Sequence, residues 1–207
     1  TKIYNWLSTK ICNWLYNHLL EKANLLKKHF IQTSDPASAK TLYTERGLRN
    51  ELPLLKQEKP FLKSVHSSPL KNTALRLSQA ISVHQKSKKG QRAGNKMGWP
   101  GYRSWQANWF SLLYDEPNKG FKVHHNKLTL SLGERVYLNF TLKEYSLLKG
   151  QIIRNLRVVK QCGFYYAVFN VTTTLAEQKP IKKKCHQKSS ETSKKTSKII
   201  NNAKSGF

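Results

Sequence analysis

The sequence predicts an α+β protein: an N-terminal helical bundle, then a small antiparallel β-barrel or sheet, then a disordered basic C-terminal tail. Three observations carry this. Apolar residues recur at helical spacing through Ile3, Leu7, Ile11, Leu15, Leu19 and Ala23, with no Gly or Pro before Pro36. Beyond Gly120 the period falls to two, the spacing of strands. Residues 179–207 hold nine lysines against Glu191 alone, and Ser, Thr and Asn make up much of the rest. Such a segment buries too little apolar surface to offset its ordering entropy. The boundaries that follow are a helical unit over 1–85, a basic aromatic connector over 86–109, a β domain over 110–178 and the tail over 179–207.

The first helix is long and amphipathic, with Leu26 and Phe30 continuing its stripe. Trp6 and Trp14 widen that stripe, which suits a face buried in a bundle better than one lying on lipid. His18 and His29 read as solvent-edge residues. Ser34 and Asp35 before Pro36 make a helix start with Pro at the first position, so a second helix is expected from about Ala37 to Leu48. After Pro53 and Pro60, the Ser67-Ser68-Pro69 triplet starts a third, from Leu70 to about His84. Leu70, Ala74, Leu77 and Ile81 should face inward there, and Lys71, Arg76 and Gln79 should not.

From Phe121, the residues Val123, Leu128, Leu130, Leu132, Val136, Leu138 and Phe140 alternate with polar ones, and Asn126 and Gly133 fall at turns. Ile152 to Val159 and Phe164 to Val171 continue the pattern, with Gln161-Cys162-Gly163 as a hairpin. Four or five antiparallel strands with one apolar face close into a barrel or pack on a helix, because open edges are a liability. Arg154 and Arg157 stand on the sheet either as phosphate ligands or as ordinary solvent-facing charges.

Composition narrows the partners. The 207 residues are 38% hydrophobic, enough for a core, and carry 37 Lys and Arg against 11 Asp and Glu, a net charge of +26. Such a chain repels itself unless a polyanion is bound, and nucleic acid is the default. An anionic membrane surface is the competitor. No apolar run approaches the ~18 residues of a spanning helix and no secretory signal is legible, so a cytoplasmic protein without a membrane is expected. Cys12, Cys162 and Cys185 are far apart with no Cys-x-x-Cys, which supports neither a disulfide framework nor a zinc site. Cys12 and Cys162 read as small buried apolar residues. No cofactor or metal is expected.

The densest chemistry lies between Lys86 and Tyr114. Lys86, Lys88, Lys89, Arg92 and Lys96 run into Trp99-Pro100-Gly101-Tyr102-Arg103-Ser104-Trp105, with Trp109 and Phe110 close behind. Gly and Pro punctuate the stretch too densely for a helix. From Lys59 to Tyr114 there is no Asp or Glu. Lysines and arginines suit phosphates, and Trp99, Tyr102 and Trp105 offer faces on which unpaired bases stack. The competing reading is a flexible linker with a few aromatics tucked into neighbouring cores.

Four stretches, in this order, resemble the first half of the TnpB (OrfB) proteins, transposon-encoded RNA-guided DNA nucleases related to type V CRISPR effectors. They are Cys12-Asn13-Trp14-Leu15-Tyr16-Asn17 on a helix; Pro60 to Ser68 leading into a helix; Gly98 to Ser104; and Gly120-Phe121-Lys122-Val123 before the strands. The likeness spans about Thr1 to Leu175. It implies a helical recognition unit inserted in a small wedge β-barrel, together gripping guide RNA and target DNA. By the same resemblance Ser68, Lys71, Asn72 and Arg76 approach the duplex beside the target.

Departures from the family bear on activity. Its RuvC-like nuclease half opens with an Ile-Gly-Ile-Asp-type strand after the last barrel strand, whereas here Thr172-Thr173-Thr174-Leu175 leads through Pro180-Ile181 into the lysine tail. The 11 acidic residues are scattered, and the one adjacent pair, Asp115-Glu116, sits before a Pro117-Asn118 turn. A two-metal nuclease needs converging carboxylates. No catalytic residue is therefore assigned. With the family's first strand also lacking ahead of the long helix, an incomplete barrel is expected. The favoured expectation is a nucleic-acid-binding, non-cleaving part of a TnpB-like protein. The alternatives are a nuclease completed by a separate RuvC-like chain and an unrelated basic RNA-binding protein.

Overall fold

The computed structural model describes residues 2–104, 111–143, 151–161 and 164–173, with the side chains of residues 2–7 and 161 left aside. Four α-helices precede six strands: α1 Lys2–Thr33, α2 Pro36–Tyr43, α3 Leu52–Glu58 and α4 Ser67–Lys88, then β1 Ser111–Tyr114, β2 Phe121–His124, β3 Lys127–Gly133, β4 Val136–Thr141, β5 Gln151–Gln161 and β6 Phe164–Thr173. The expected α+β class and its order of helices before antiparallel strands hold.

The stripe of α1 is buried as its spacing required: Leu15, Leu19 and Ala23 are inaccessible and Ile11 nearly so. Asp35 caps α2, accepting the Ala37 and Ser38 amides at 3.0 and 2.9 Å, and the Ser38 hydroxyl at 2.7 Å, with those amides, holds its carboxyl below the usual carboxylate range. That helix is shorter than expected. It stops at Tyr43, where Thr44 turns extended, and Gly47 then passes so close to Thr41 that a Cβ there would meet the Thr41 carbonyl oxygen at 2.0 Å. Two 3₁₀ turns, Leu48–Glu51 and Pro60–Ser64, flank α3, a helix the sequence pattern did not single out. Pro53 lies in its first turn, where a missing amide hydrogen is tolerated.

On α4, Leu70, Ala74, Leu77 and Ile81 have no exposure, as their spacing predicts. The helix overruns its expected end by a turn, and Gly90 explains where it stops. The Gln91 amide donates to the Lys86 carbonyl at 2.9 Å and the Gly90 amide to Ser87 at 3.2 Å, with Gly90 at φ +69, which together form a Schellman ending. Lys86 and Lys88 thus belong to the last helical turn rather than to the connector. Lysines there also suit the negative end of the helix dipole.

The strands form two antiparallel sheets, ordered β1-β5-β6 and β2-β3-β4. No strand was named ahead of Phe121, yet β1, at the start of the expected β domain, pairs with β5, Ser111 opposite Val159 and Leu113 opposite Arg157. Turns at His125-Asn126 and Glu134-Arg135 join β2, β3 and β4, close to the positions expected, and Glu134 and Arg135 both carry positive φ. A bulge at Arg154 interrupts the β5–β6 ladder. Among the described residues no strand pairing joins the two sheets into a closed barrel. Leu112, Tyr114, Phe121, Leu128, Leu130, Leu156 and Val158 share one continuous core with the helices. Cys12 is part of it, and burial pushes its thiol up to about 11. The Cys162 turn and the tail lie outside the described residues.

Candidate nucleic-acid interface

The connector is strapped to α1 by two asparagines. Asn17 accepts the Arg103 amide at 2.8 Å and donates to the Arg103 carbonyl at 2.9 Å, so its side chain pairs with the backbone as a neighbouring strand would. The Arg103 guanidinium lies over the Tyr16 ring, 3.7 Å from its centroid. Two turns on, Asn24 accepts the Trp99 indole N–H at 2.8 Å and donates to the Tyr102 hydroxyl at 3.4 Å. The spacing of seven places both asparagines on one side of the helix.

Trp99 is enclosed on further sides. Lys27 sits over the ring at 4.1 Å, and His84 meets it edge-on at 5.4 Å. The same histidine donates through Nδ1 to the Met97 carbonyl at 2.9 Å, while Ser87 accepts the Met97 amide. Trp99 is therefore a half-buried anchor rather than an open stacking face, and the tucked-aromatic reading was right for this residue. Tyr102 is different: it is 62% exposed. Trp105 lies outside the described residues.

Between these anchors and the end of α4, the basic loop stands in solvent. Lys86, Lys88, Lys89, Arg92 and Lys96 are all exposed. Arg92 bends back to donate to the Asn95 carbonyl at 3.1 Å, which keeps the loop compact. Five cations thus lie within eleven positions on a segment fixed at both ends. No carboxylate lies between Lys59 and Tyr114 in the sequence, so the segment carries no neutralising charge of its own.

The residues suggested on the first turns of α4 are placed otherwise. Ser68 is wholly buried and Asn72 partly exposed. Lys71 is half-buried and reaches Glu116 at 2.8 Å, a bond that lowers the Glu116 pKa and ties α4 to the β1–β2 turn. Arg76, expected on the solvent side, turns to β1. It donates to the Ser111 carbonyl and hydroxyl at 3.3 and 3.2 Å, and burial, with the charges of Arg157 and Arg103, brings its pKa down to about 10. A basic residue on a partly buried helix flank finds a fixed partner, and no periodicity argument names that partner.

Both β5 arginines are exposed. Arg154 donates to Thr172 across the strand pair at 2.7 Å, whereas Arg157 stands in the middle of the sheet's outer face, near Arg76. Sequence reasoning missed Asn17 and Asn24, although their spacing of seven on α1 was a signal. It also missed His66, which caps α4 by accepting the Ser68 amide at 3.1 Å. Burial lowers the pKa of this histidine, as suits a ring that must stay neutral to accept. Among the described residues no cluster of three metal-ligating side chains gathers, and no helix is long and apolar enough to cross a membrane.

No protein-family model matches this sequence, and no curated protein matches it. The likeness to TnpB rests on the four motifs alone.

Proposed function

We propose that this chain is a nucleic-acid-binding module, corresponding to the first half of a TnpB-like protein, that grips guide RNA and target DNA without cutting either. The observation that carries the reading is the solvent-facing set Lys86, Lys88, Lys89, Arg92 and Lys96 on an anchored segment of a chain with net charge +26. A flexible charged linker would need no such anchoring. Holding the segment through Asn17, Asn24 and His84 lowers the entropy lost when phosphates bind.

In the proposed role the loop tracks a phosphate backbone and supplies affinity and orientation, while base pairing by a guide supplies sequence choice. Cutting would require carboxylates from a RuvC-like domain, whose opening strand these 207 residues do not contain. Cytoplasmic residence belongs to the same proposal. Sequencing the RNA that co-purifies with the chain tests the reading. One defined transcript from a transposon end supports it; bulk ribosomal RNA alone would favour a general basic RNA-binding protein instead.

A further inference from the structure

The outward face of the β1-β5-β6 sheet is built differently from the basic loop. Leu156 and Val158 of β5, with Ala167 and Phe169 opposite them, turn toward the helices and the core. Alternation then places Arg157 and Val159 of β5, and Phe164, Tyr166 and Val168 of β6, on the other side. That side is open: Phe164 is 68%, Tyr166 49% and Val168 52% exposed. Tyr165, on the opposite face, has Lys160 near its ring at 5.9 Å.

Val159 lies opposite Tyr166 and Arg157 opposite Val168, so Arg157 and Tyr166 are diagonal neighbours, about 7–8 Å apart. On the far side of Val159 lies Ser111, which holds the Arg76 guanidinium. Aromatic rings therefore stand at one edge of the face, with guanidinium groups in its middle and at the other edge. A patch meant only for apolar burial would place no arginine at its centre. A patch meant only for phosphates would not expose Phe164 and Tyr166.

We propose that this sheet face is a binding platform for unpaired single-stranded nucleic acid, on which Tyr166 and Phe164 stack bases while Arg157, beside Arg76, holds the intervening phosphate. It deepens the nucleic-acid reading above and rests on it. The platform takes single strands because a duplex keeps its base faces stacked inside, and it reads no sequence because every base has a stacking face.

The test uses the full chain, a fluorescent oligouridine of ~15 nucleotides and an RNA duplex of similar length, read by anisotropy across a salt series. Tyr166→Ala should weaken single-strand binding roughly 5- to 150-fold and leave duplex binding unchanged. Its salt slope should not move, since stacking releases no counterion. Tyr166→Phe should bind like the unaltered chain, and Arg157→Ala should make the single-strand slope shallower by about 0.7. Circular dichroism checks that these surface variants fold. Equal losses on single strand and duplex, or no loss with Tyr166→Ala, would overturn the platform while leaving nucleic-acid binding by the loop intact. Absence of any binding by the unaltered chain would overturn both. Light scattering supplies a further outcome: a dimer that Tyr166→Ala dissociates, with single-strand affinity unchanged, would make the face an interface between copies.

Discussion

Asn24 accepts the indole N–H of Trp99 at 2.8 Å, joining the middle of α1 to a residue 75 positions later. With Asn17 on Arg103, this bond makes the connector part of the folded body. Both asparagines sit on α1, and His84 of α4 adds a bond to Met97, so the basic loop is held against two helices.

Removing the anchors should release the strap. In an Asn17→Ala, Asn24→Ala variant, tryptic cleavage after Arg103 should speed up roughly tenfold or more, since each lost hydrogen bond costs about 1 kcal/mol of local opening. Time-resolved proteolysis with mass spectrometry measures it. An unchanged rate would mean that packing around Trp99 holds the segment without these bonds.

Arg76 should act on stability and the loop cations should not. Arg76→Ala removes a half-buried charge with two bonds to Ser111 and should cost about 1.5–3 kcal/mol in a urea melt. Replacing Lys86, Lys88, Lys89 and Arg92 together should change stability by less than about 1 kcal/mol, because exposed charges contribute little. Equal losses in the two variants would contradict the assignment of Arg76 to the scaffold.

The main elements of the fold were legible because each rests on a local signal: the α1 stripe, the Asp35-Pro36 helix start, the alternation from Phe121 onward. What escaped depends on partners far away in sequence. β1 is four residues long and gains its ladder only from β5, so Ser111–Tyr114 does not read as a strand until Val159 and Leu156 are seen beside it. The end of α4 was within reach, since Gly90 suits the left-handed position after a helix. At the site, exposure of the loop cations followed from composition, but the burial of Ser68, the turn of Arg76 to Ser111 and the enclosure of Trp99 are tertiary facts.

Stability should fall as the solution is acidified below neutrality, through His66. Its folded-state pKa is depressed by burial, so the unfolded chain takes up the proton first. The histidine's contribution is fully present above its unfolded pKa of about 6.5 and is lost as pH drops through its lower folded value. Protonation also removes the lone pair that caps α4. Melts at a series of pH values should show a decline near pH 6 that His66→Asn reduces, since Asn also caps but does not titrate. An equal decline in both proteins would move the sensitivity elsewhere.

The chain alone should cleave nothing. Incubated with single- and double-stranded DNA, co-purified RNA and Mg²⁺ or Mn²⁺, it should leave every substrate intact, because no carboxylates converge among the described residues to hold two ions. Metal-dependent cutting that persists through further purification would contradict this. Asp115 and Glu116 would then be the first residues to replace.

The most direct measurement of nucleic-acid binding is affinity for a duplex across a salt series, taken for the chain and for its Lys86→Ala, Lys88→Ala, Lys89→Ala, Arg92→Ala variant. Each cation that neutralises a phosphate releases counterions, so log affinity should fall linearly with log salt for the unaltered chain. The variant's slope should be shallower by about one unit per lost contact. Identical slopes would contradict the placement of the phosphate contact on this loop, and an affinity independent of salt would contradict nucleic-acid binding through phosphates altogether.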